Sequence, residues 1–282
     1  MPESITFEEL QPLLSSFKKE GEKRLSNCFL MPPELKRLGE EKKLFFKKNE
    51  DWLFLFCDRG DYINLYYYSF PSSKGESAEE LLKTSFSKPV LLDVTFRGEK
   101  GDRETPQKLL SRSLAEEYKK YNRMQLFLSE TDVSALKTEI FDGYRVKKEE
   151  IDFEAVQKLW RECLDEKSTP LPTKEEFEAF EKSGLVWAAE DEKNELGAVL
   201  LLDANKKSGL VQHLVCSPSH RRRGLARTLL NRCIHFAFEN GVSVLRLWVD
   251  AENKPAIALY EKTGFAPDLT VSEQMYIKQK SI

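Results

Sequence analysis

Cysteine is scarce in this 282-residue chain: there are five cysteines, and no two form a C-x-x-C pair. An odd, scattered set argues against a disulfide framework and against a structural zinc site, and it favours a reducing compartment. We therefore predict that the chain holds no metal. The five are Cys28, Cys57, Cys163, Cys216 and Cys233.

Long hydrophobic runs are also missing. No uninterrupted apolar stretch approaches the roughly 20 residues that a membrane-spanning helix needs. The opening residues, MPESITFEEL, have neither the apolar core nor the basic flank of a signal peptide. The sequence therefore predicts a soluble, cytoplasmic protein with no membrane partner.

Neither sign of charge is in large excess: 44 Lys and Arg residues face 47 Asp and Glu residues, for a formal net charge of -3. General affinity for nucleic acid would require a basic surplus, so no nucleic-acid partner is expected. Apolar material is sufficient, because hydrophobic residues make up 40% of the chain. The length allows one large domain or two of ordinary size.

The first half alternates helices and strands. Apolar residues at helical spacing predict an amphipathic helix within residues 5–20. Turn residues and capping signals delimit the other elements. These are predicted strands over 52–57, 62–70, 90–96 and 124–128, and predicted helices over 77–86, 106–121 and 133–141.

The second half has a similar order of elements at an offset of about 120 residues. Strand 124–128 matches strand 244–248 in this comparison, which suggests a repeat; two unrelated α/β segments are the alternative. The charge run 147–150 predicts a boundary that divides domain 1–147 from domain 148–282. Predicted helices here cover 153–163, 174–182, 225–239 and 255–262, and strands cover 185–189, 196–202, 210–216, 242–249 and 275–278.

One segment of the second half joins a buried strand, a turn and a helix start. Three arginines, Arg221 to Arg223, precede Gly224 at the start of the predicted helix. The first N–H groups of a helix lack intrahelical partners and carry the positive end of the helix dipole, so a pyrophosphate fits there. Gly224 has no side chain to keep a phosphate away, and the arginines add a positive field.

The pattern Arg-x-x-Gly-x-Ala, filled by Arg221, Gly224 and Ala226, resembles the acetyl-CoA pyrophosphate loop of the GNAT acyltransferase superfamily. It differs from a nucleotide P-loop, which ends in Gly-Lys-Ser/Thr. The run from Asn253 to Phe265 is similar to the family's closing signature, Asn-x-x-Ala-x-x-Leu-Tyr followed by Gly-Phe. The resemblance implies an α/β (α+β) fold of tandem GNAT-like mixed, twisted sheets flanked by helices, with the C-terminal repeat intact and the N-terminal repeat degenerate.

The resemblance also implies acetyl-CoA as co-substrate. The pantetheine arm would lie where two strands splay apart and would pair with the main chain of Val215 and Cys216, while the N–H groups of Arg222 to Arg227 would bind the pyrophosphate. Asn253 would touch the cofactor as well as cap a helix, although a plain N-cap is the alternative. The expected cofactor-binding residues are Leu214, Val215, Cys216, Arg221, Arg222, Arg223, Gly224, Leu225, Ala226, Arg227, Asn253 and Tyr260.

Two catalytic residues are expected, Tyr260 and His213. Tyr260 resembles the residue that protonates the departing thiolate in many members, with a core tyrosine as the alternative. Trp248 stands where some members carry a glutamate base, so the general base is sought among His213, Glu190 and Asp250. His213 also fits a structural histidine. The other histidines are interpreted as a turn residue, His220, and a helix-face residue, His235.

Cys216 lacks a histidine placed by the sequence to activate it, and a small buried residue is expected on that strand, so direct transfer is favoured over an acyl-enzyme.

The first half is predicted to bind no acetyl-CoA. If it is a repeat, the equivalent loop falls within 97–105, where the arginine-to-glycine spacing fails and three acidic residues would repel a pyrophosphate. Phe141 stands near the position of Tyr260, and helix 77–86 is interpreted as an insertion. In this pairing of an active and a degenerate half, the chain resembles tandem members of the superfamily, such as mycothiol-synthase-like proteins.

The sequence thus predicts an N-acetyltransferase that moves an acetyl group from acetyl-CoA to a primary amine of a small-molecule or peptide acceptor. A monomer or a homodimer is compatible with the pattern. Two alternatives stay open: a non-catalytic acyl-CoA-binding sensor, and a protein-interaction module in which the first half recruits a partner.

Overall fold

The computed structural model describes residues 2–28, 30–82, 86–97 and 115–278. The chain forms two compact units: unit 1 comprises Met1–Lys120 with Leu269–Ile282, and unit 2 comprises Tyr121–Asp268. Each unit carries helices on a mixed sheet, which confirms the predicted α/β class. Within the described parts of the chain, no helix has both the length and the apolar character needed to cross a membrane.

Two long strands contribute to both units. The first is β7 (Ala115–Phe127), and the second is β13 (Ala266–Ile277). Residues 270–277 of β13 pair with a strand of unit 1, and residues 121–127 of β7 pair with a strand of unit 2. The charge run 147–150 predicts a division between residues 147 and 148. The compact units instead divide the chain at 120/121 and 268/269, because strand pairing decides which residues pack together.

In unit 1 the strand order is β1-β3-β4-β5-β6-β13, and β2 also pairs with β5. The crossover between the parallel strands β5 and β6 contains helix α3. The elements are β1 (Glu3–Ser4), α1 (Phe7–Ser16), β2 (Leu25–Ser26), α2 (Pro32–Glu40), β3 (Leu44–Lys48), β4 (Leu53–Asp58), β5 (Ile63–Ser69), α3 (Gly75–Leu82) and β6 (Val90–Arg97).

In unit 2 the strand order is β7-β12-β11-β10-β9-β8. The crossover between the parallel strands β11 and β12 contains helix α6. The elements are β8 (Tyr144–Lys147), α4 (Phe153–Cys163), α5 (Lys174–Lys182), β9 (Val186–Asp191), β10 (Leu196–Ala204), β11 (Ser208–Cys216), α6 (Leu225–Glu239), β12 (Val244–Asp250) and α7 (Lys254–Lys262).

The sheet of unit 2 is covered on both faces, as the apolar run of β10 requires. Leu200 and Leu202 join a core cluster with residues of α6, whereas Val199 and Leu201 join a second cluster with Trp160 of α4. The split follows from the alternation of side chains along a strand. Both faces of β10, the neighbour of β11, are therefore buried.

Several predicted elements of the middle of the chain were wrong. Residues 115–121 form the start of β7 rather than the end of a helix, and residues 106–114 lie outside the described part. Residues 133–141 contain only a 3-10 turn, Val133–Ala135, instead of a helix. The strands matched as repeats, 124–128 and 244–248, are antiparallel neighbours in one sheet, with Val244 paired to Phe127.

Helix α3 is likewise no insertion. A connection between two parallel strands must cross over the sheet, and a helix is its usual form. In this position α3 corresponds to α6 of unit 2. The loop predicted within 97–105 lies, beyond Arg97, outside the described residues.

Candidate active site

The parallel strands β11 and β12 pair over only four residues. Ser208–Val211 of β11 faces Val244–Leu247 of β12, and the ladder then stops. In the described chain no other strand pairs with the freed edge of β11. The two strands therefore part toward their carboxyl ends, as the sequence analysis predicted.

A β-bulge lies where the strands part. On β10, Val199 pairs with Val215 and Leu201 pairs with Gln212, so two residues of β11 oppose one of β10. One of the two, His213, has a φ of 48°. A bulge bends its strand and strengthens the local twist, which accounts for the divergence of β11 from β12.

The main chain of Cys216 faces away from β10. The N–H of Ser217 donates to Gly197 O of β10 at 2.9 Å. Because N–H and C=O groups alternate in direction along a strand, those of Cys216 point to the freed edge, and those of Val215 point to β10. Val215 and Cys216 were both predicted to pair with the pantetheine arm. Only Cys216 directs its main chain to the gap.

The turn after β11 presents unpaired main-chain donors at the start of α6. Arg222 and Gly224 both have left-handed backbones, with φ of 64° and 77°, and Gly224 is the N-cap of the helix. The N–H groups of Arg222 to Arg227 donate to no acceptor within the described segments. A Cβ built on Gly224 would meet nothing within 4 Å. Main-chain N–H groups arranged in this way are suited to bind an anion, and the space in front of Gly224 is open.

A tyrosine that sequence reasoning missed supports this turn. The Tyr144 hydroxyl oxygen lies 2.5 Å from Nη1 of Arg223, which donates to it, and 2.6 Å from Nδ1 of His220. The guanidinium of Arg223 also lies 5.8 Å from the centre of the Tyr144 ring. His220 is buried in the 3-10 turn Pro218–His220, as its interpretation as a turn residue implies. No spacing in the sequence links residue 144 to residue 223.

Beside the turn, Asp191, Glu195 and His220 bring one possible ligand atom each within 4.8 Å of one another. Two of the three already have a structural role. Asp191 accepts the N–H groups of Lys193 and Glu195, both at 2.9 Å, and His220 is bound to Tyr144. We assign no metal to this group.

Tyr260 and Asn253 belong to α7. The Asn253 side chain accepts the Ala256 N–H at 3.2 Å, so its N-cap role is confirmed. Tyr260 is only 7% exposed and packs against Phe265, with ring centres 6.0 Å apart. Burial raises the pKa of the Tyr260 phenol to about 12. The phenol thus remains a proton donor throughout the neutral range.

His213 sits in the bulge against α4. Its ring centre lies 5.1 Å from that of Trp160, whose indole N–H points to the His213 carbonyl oxygen at 3.4 Å. Its Nδ1 is buried and makes no hydrogen bond to any described residue. Burial lowers the pKa of His213 to about 4, so the ring is neutral at pH 7.

The other base candidates have structural partners. Glu190 is buried on β9 and pairs with Arg145 at 3.0 Å and Lys147 at 3.4 Å across the ladder to β8. Asp250 accepts the Glu252 N–H at 2.9 Å in the turn before α7.

Trp248 and Cys216 also lie near the ends of the parted strands. Trp248 follows the last residue of β12 that pairs with β11, and the Arg123 guanidinium lies 5.6 Å from its ring. Burial raises the pKa of the Cys216 thiol, which keeps it protonated and agrees with direct transfer.

Comparison with known proteins places this geometry in a family. Residues 153–265 match the acetyltransferase (GNAT) family. A spermidine N(1)-acetyltransferase from Vibrio cholerae is 34% identical over 89 residues, which are 30% of this chain and 51% of that protein. The chain therefore matches only about half the length of this curated relative.

Two solved structures share the fold over most of the chain. A GCN5-related N-acetyltransferase from Sphaerobacter thermophilus has a TM-score of 0.60 at 16% identity, over 90% of this chain and 88% of that one. A tandem GNAT protein from the clavulanic acid biosynthesis pathway has a TM-score of 0.58 at 15% identity, over 83% and 82%. These two likenesses concern the fold alone. The family follows from the sequence match: residues 153–265 are a domain of the GNAT acetyltransferase family.

Proposed function

We propose that unit 2 transfers an acetyl group from acetyl-CoA to a primary amine of a small-molecule or peptide acceptor. The observation that carries the proposal is the parting of β11 from β12 beside a helix start with unpaired N–H groups. The similarity to a spermidine N(1)-acetyltransferase supports an amine as acceptor. The predictions of a cytoplasmic location and of a monomer or homodimer belong to the same proposal.

The diphosphate of acetyl-CoA fits the turn before α6. Six consecutive N–H groups, from Arg222 to Arg227, are unpaired within the described chain, and the space in front of Gly224 is open. The arginine side chains add positive charge, and the N-terminus of a fifteen-residue helix adds its dipole. The Arg221 side chain has a partner within the chain, since its Nε donates to the Cys216 carbonyl oxygen at 3.3 Å.

The pantetheine arm fits the gap between β11 and β12 as an added strand. The freed edge of β11 offers the Cys216 carbonyl oxygen to an amide N–H of the arm, as in β-augmentation, and this leaves the Cys216 N–H for the thioester. Leu214, Val215 and Leu225 serve as apolar surroundings of this path, and Asn253 lies at the start of α7. The thioester would then lie between β11 and Tyr260.

Transfer requires stabilisation of charge on two atoms. As the amine attacks the thioester carbonyl, the N–H of Cys216 donates to the developing oxyanion. As the C–S bond breaks, Tyr260 donates its proton to the leaving sulfur. The nitrogen loses one proton as it becomes an amide, and the Tyr260 phenolate takes up a proton from solvent, so the protons balance. Burial makes the phenol a weaker acid than an exposed tyrosine, and it raises the pKa of the Cys216 thiol as well. A leaving thiolate buried in the same way would be a correspondingly stronger base.

His213 acts as a hydrogen-bond acceptor for the incoming amine. Its neutral ring has a buried Nδ1 without a partner among the described residues, and Trp160 holds the ring in place. With a pKa of about 4 it is too weak a base to deprotonate an ammonium group by itself. The acceptor therefore enters as the free amine, or loses its proton to solvent.

The test is acetyl-CoA binding and acetylation of a panel of amines by Gly224→Val, with Gly60→Val as matched control. Both glycines have left-handed backbones, and a Cβ placed on either would meet nothing within 4 Å, so both variants carry similar strain. Only the Val at 224 fills the space of the diphosphate, and we expect Kd to rise roughly 100-fold or more. Equal binding by the two variants would refute the site, and binding without acetylation of any amine would favour the sensor.

A further inference from the structure

Unit 1 contains a second pair of parallel strands that part. β5 pairs with β6 only through Ile63–Leu65 and Val90–Leu92. The crossover helix is α3, in the place that α6 occupies between β11 and β12. Past Leu65 the edge of β5 that faces β6 is free to pair with something else.

The chain itself fills this gap. The segment 25–28, which we call the plug, enters between the parted strands. Its β2 residues pair antiparallel with the freed edge of β5, Leu25 with Ser69 and Ser26 with Tyr68. The Ser26 hydroxyl also donates to the Tyr67 carbonyl oxygen at 2.8 Å. An added strand on this edge occupies the place that a pantetheine arm would need.

Asn27 of the plug bridges the two walls of the gap. Its Oδ1 accepts the Tyr67 N–H of β5 at 2.6 Å. Its Nδ2 donates to the Asp93 carbonyl oxygen of β6 at 2.7 Å and, more weakly, to that of Leu65 at 3.4 Å. A carboxamide donates and accepts in the same way as the amides of pantetheine.

The helix start of unit 1 is also occupied by the chain. Glu22 accepts the Ser72 N–H at 2.9 Å and the Ser72 hydroxyl at 2.6 Å, and these hydrogen bonds hold the Glu22 pKa below its usual range. Asp51 accepts the Lys74 N–H at 3.4 Å and the Ser77 hydroxyl at 3.0 Å. Two carboxylates thus take donors just before α3 and in its first turn, and they would repel a diphosphate.

We propose that unit 1 is an acyltransferase-type lobe that holds its own residues 22–28 in place of a coenzyme. Glu22 and Asp51 replace the diphosphate, and the plug replaces the pantetheine arm. The chain then binds one coenzyme A, in unit 2. This last statement rests on the function proposed for unit 2, whereas the filling of unit 1 does not.

The first experiment needs no coenzyme. Asn27→Leu keeps the approximate size of the side chain and removes its hydrogen bonds, so amide exchange at Tyr67 should become about tenfold faster. Asn240→Leu, at an exposed helix end in unit 2, should leave Tyr67 unchanged. Asn27→Asp keeps the acceptor for Tyr67 and loses the donors, so it should lower stability with less effect on that amide. An unchanged exchange rate at the Tyr67 amide in Asn27→Leu would contradict the proposal that the plug fills the gap.

The second experiment is a calorimetric titration of the full chain with coenzyme A. We expect one site per chain, and Gly224→Val should leave none. Two sites in the wild type, or a residual site in Gly224→Val, would show that unit 1 is open to the coenzyme and overturn the proposal. No binding by the wild type would instead remove the function proposed for unit 2, while the Tyr67 measurement would still decide the plug.

Discussion

The two units use the same strand plan, and they differ in what occupies the gap between the parted strands. In unit 2 the edge of β11 past Val211 is unpaired within the described chain, and the N–H groups before α6 are free. In unit 1 the corresponding edge carries the plug, and the N–H groups of Ser72 and Lys74 meet carboxylates.

The two units show that this strand order alone does not make a site for a coenzyme. Such a site also requires main-chain groups that have no partner within the chain. A buried edge or helix end must find partners in the chain, in water or in a ligand. Unit 1 finds them within the chain, which closes the gap. In unit 2 these main-chain groups have no partner within the described chain, and β11 has a bulge at His213 that the uninterrupted register of β4 and β5 lacks.

The largest difference between the units should appear in kcat when a buried tyrosine of each unit is replaced by Phe. We expect Tyr260→Phe to lower kcat about 100-fold, because general acid catalysis is lost, and to leave the Kd of acetyl-CoA nearly unchanged. Tyr67→Phe, in a buried tyrosine of unit 1, should change neither value. Steady-state kinetics and calorimetry check both variants, and wild-type kcat in Tyr260→Phe would remove this residue from the mechanism.

The bulge gives unit 2 a pH dependence of stability. The folded pKa of His213 is about 4 against 6.5 as the ordinary value, so the unfolded chain binds more protons between these values and stability falls as the pH falls through this window. His213→Asn tolerates the positive φ and does not titrate.

Chemical denaturation at pH 7.5 and pH 5 measures the effect. Between these values the wild type should lose roughly 2 kcal/mol more unfolding free energy than His213→Asn. Equal losses in the two proteins would mean that His213 is solvated in the folded state, and its proposed contact with the amine would lose its basis.

A smaller effect should show whether Tyr144 supports the turn before α6 or the gap between β11 and β12. Tyr144→Phe removes the hydroxyl that binds Arg223 and His220, so the KM for acetyl-CoA should rise about tenfold. The KM for acetyl-pantetheine, which has no diphosphate, should not change, and kcat should be preserved. A rise for both substrates would indicate a general loss of structure instead.

Local signals made the turn before α6 and the start of α7 predictable. Gly224 and Asn253 have conformational roles that depend on their immediate neighbours, so the turn, the N-cap and helix α6 followed from the sequence. The direction of the Cys216 main chain and the contact of Tyr144 with Arg223 did not, because both depend on where strands β10 and β8 lie.

Unit 1 was harder to predict because distant pairing overrides local preference. The charged residues of 115–121, rich in Glu and Lys, favour a helix, yet these residues start β7. The last strand, β13, completes the sheet of unit 1 beside β6, from the opposite end of the sequence. Nothing in the short stretch around Asn27 indicates that it fills a gap between two strands.

Amide hydrogen exchange of the full chain with and without saturating coenzyme A tests the central claim most directly. The comparison of the two gaps predicts new protection within residues 212–227, at the freed edge of β11 and the start of α6. It predicts no change within residues 65–77, where the plug and two carboxylates already hold the main chain. Protection of 65–77, or none within 212–227, would contradict it.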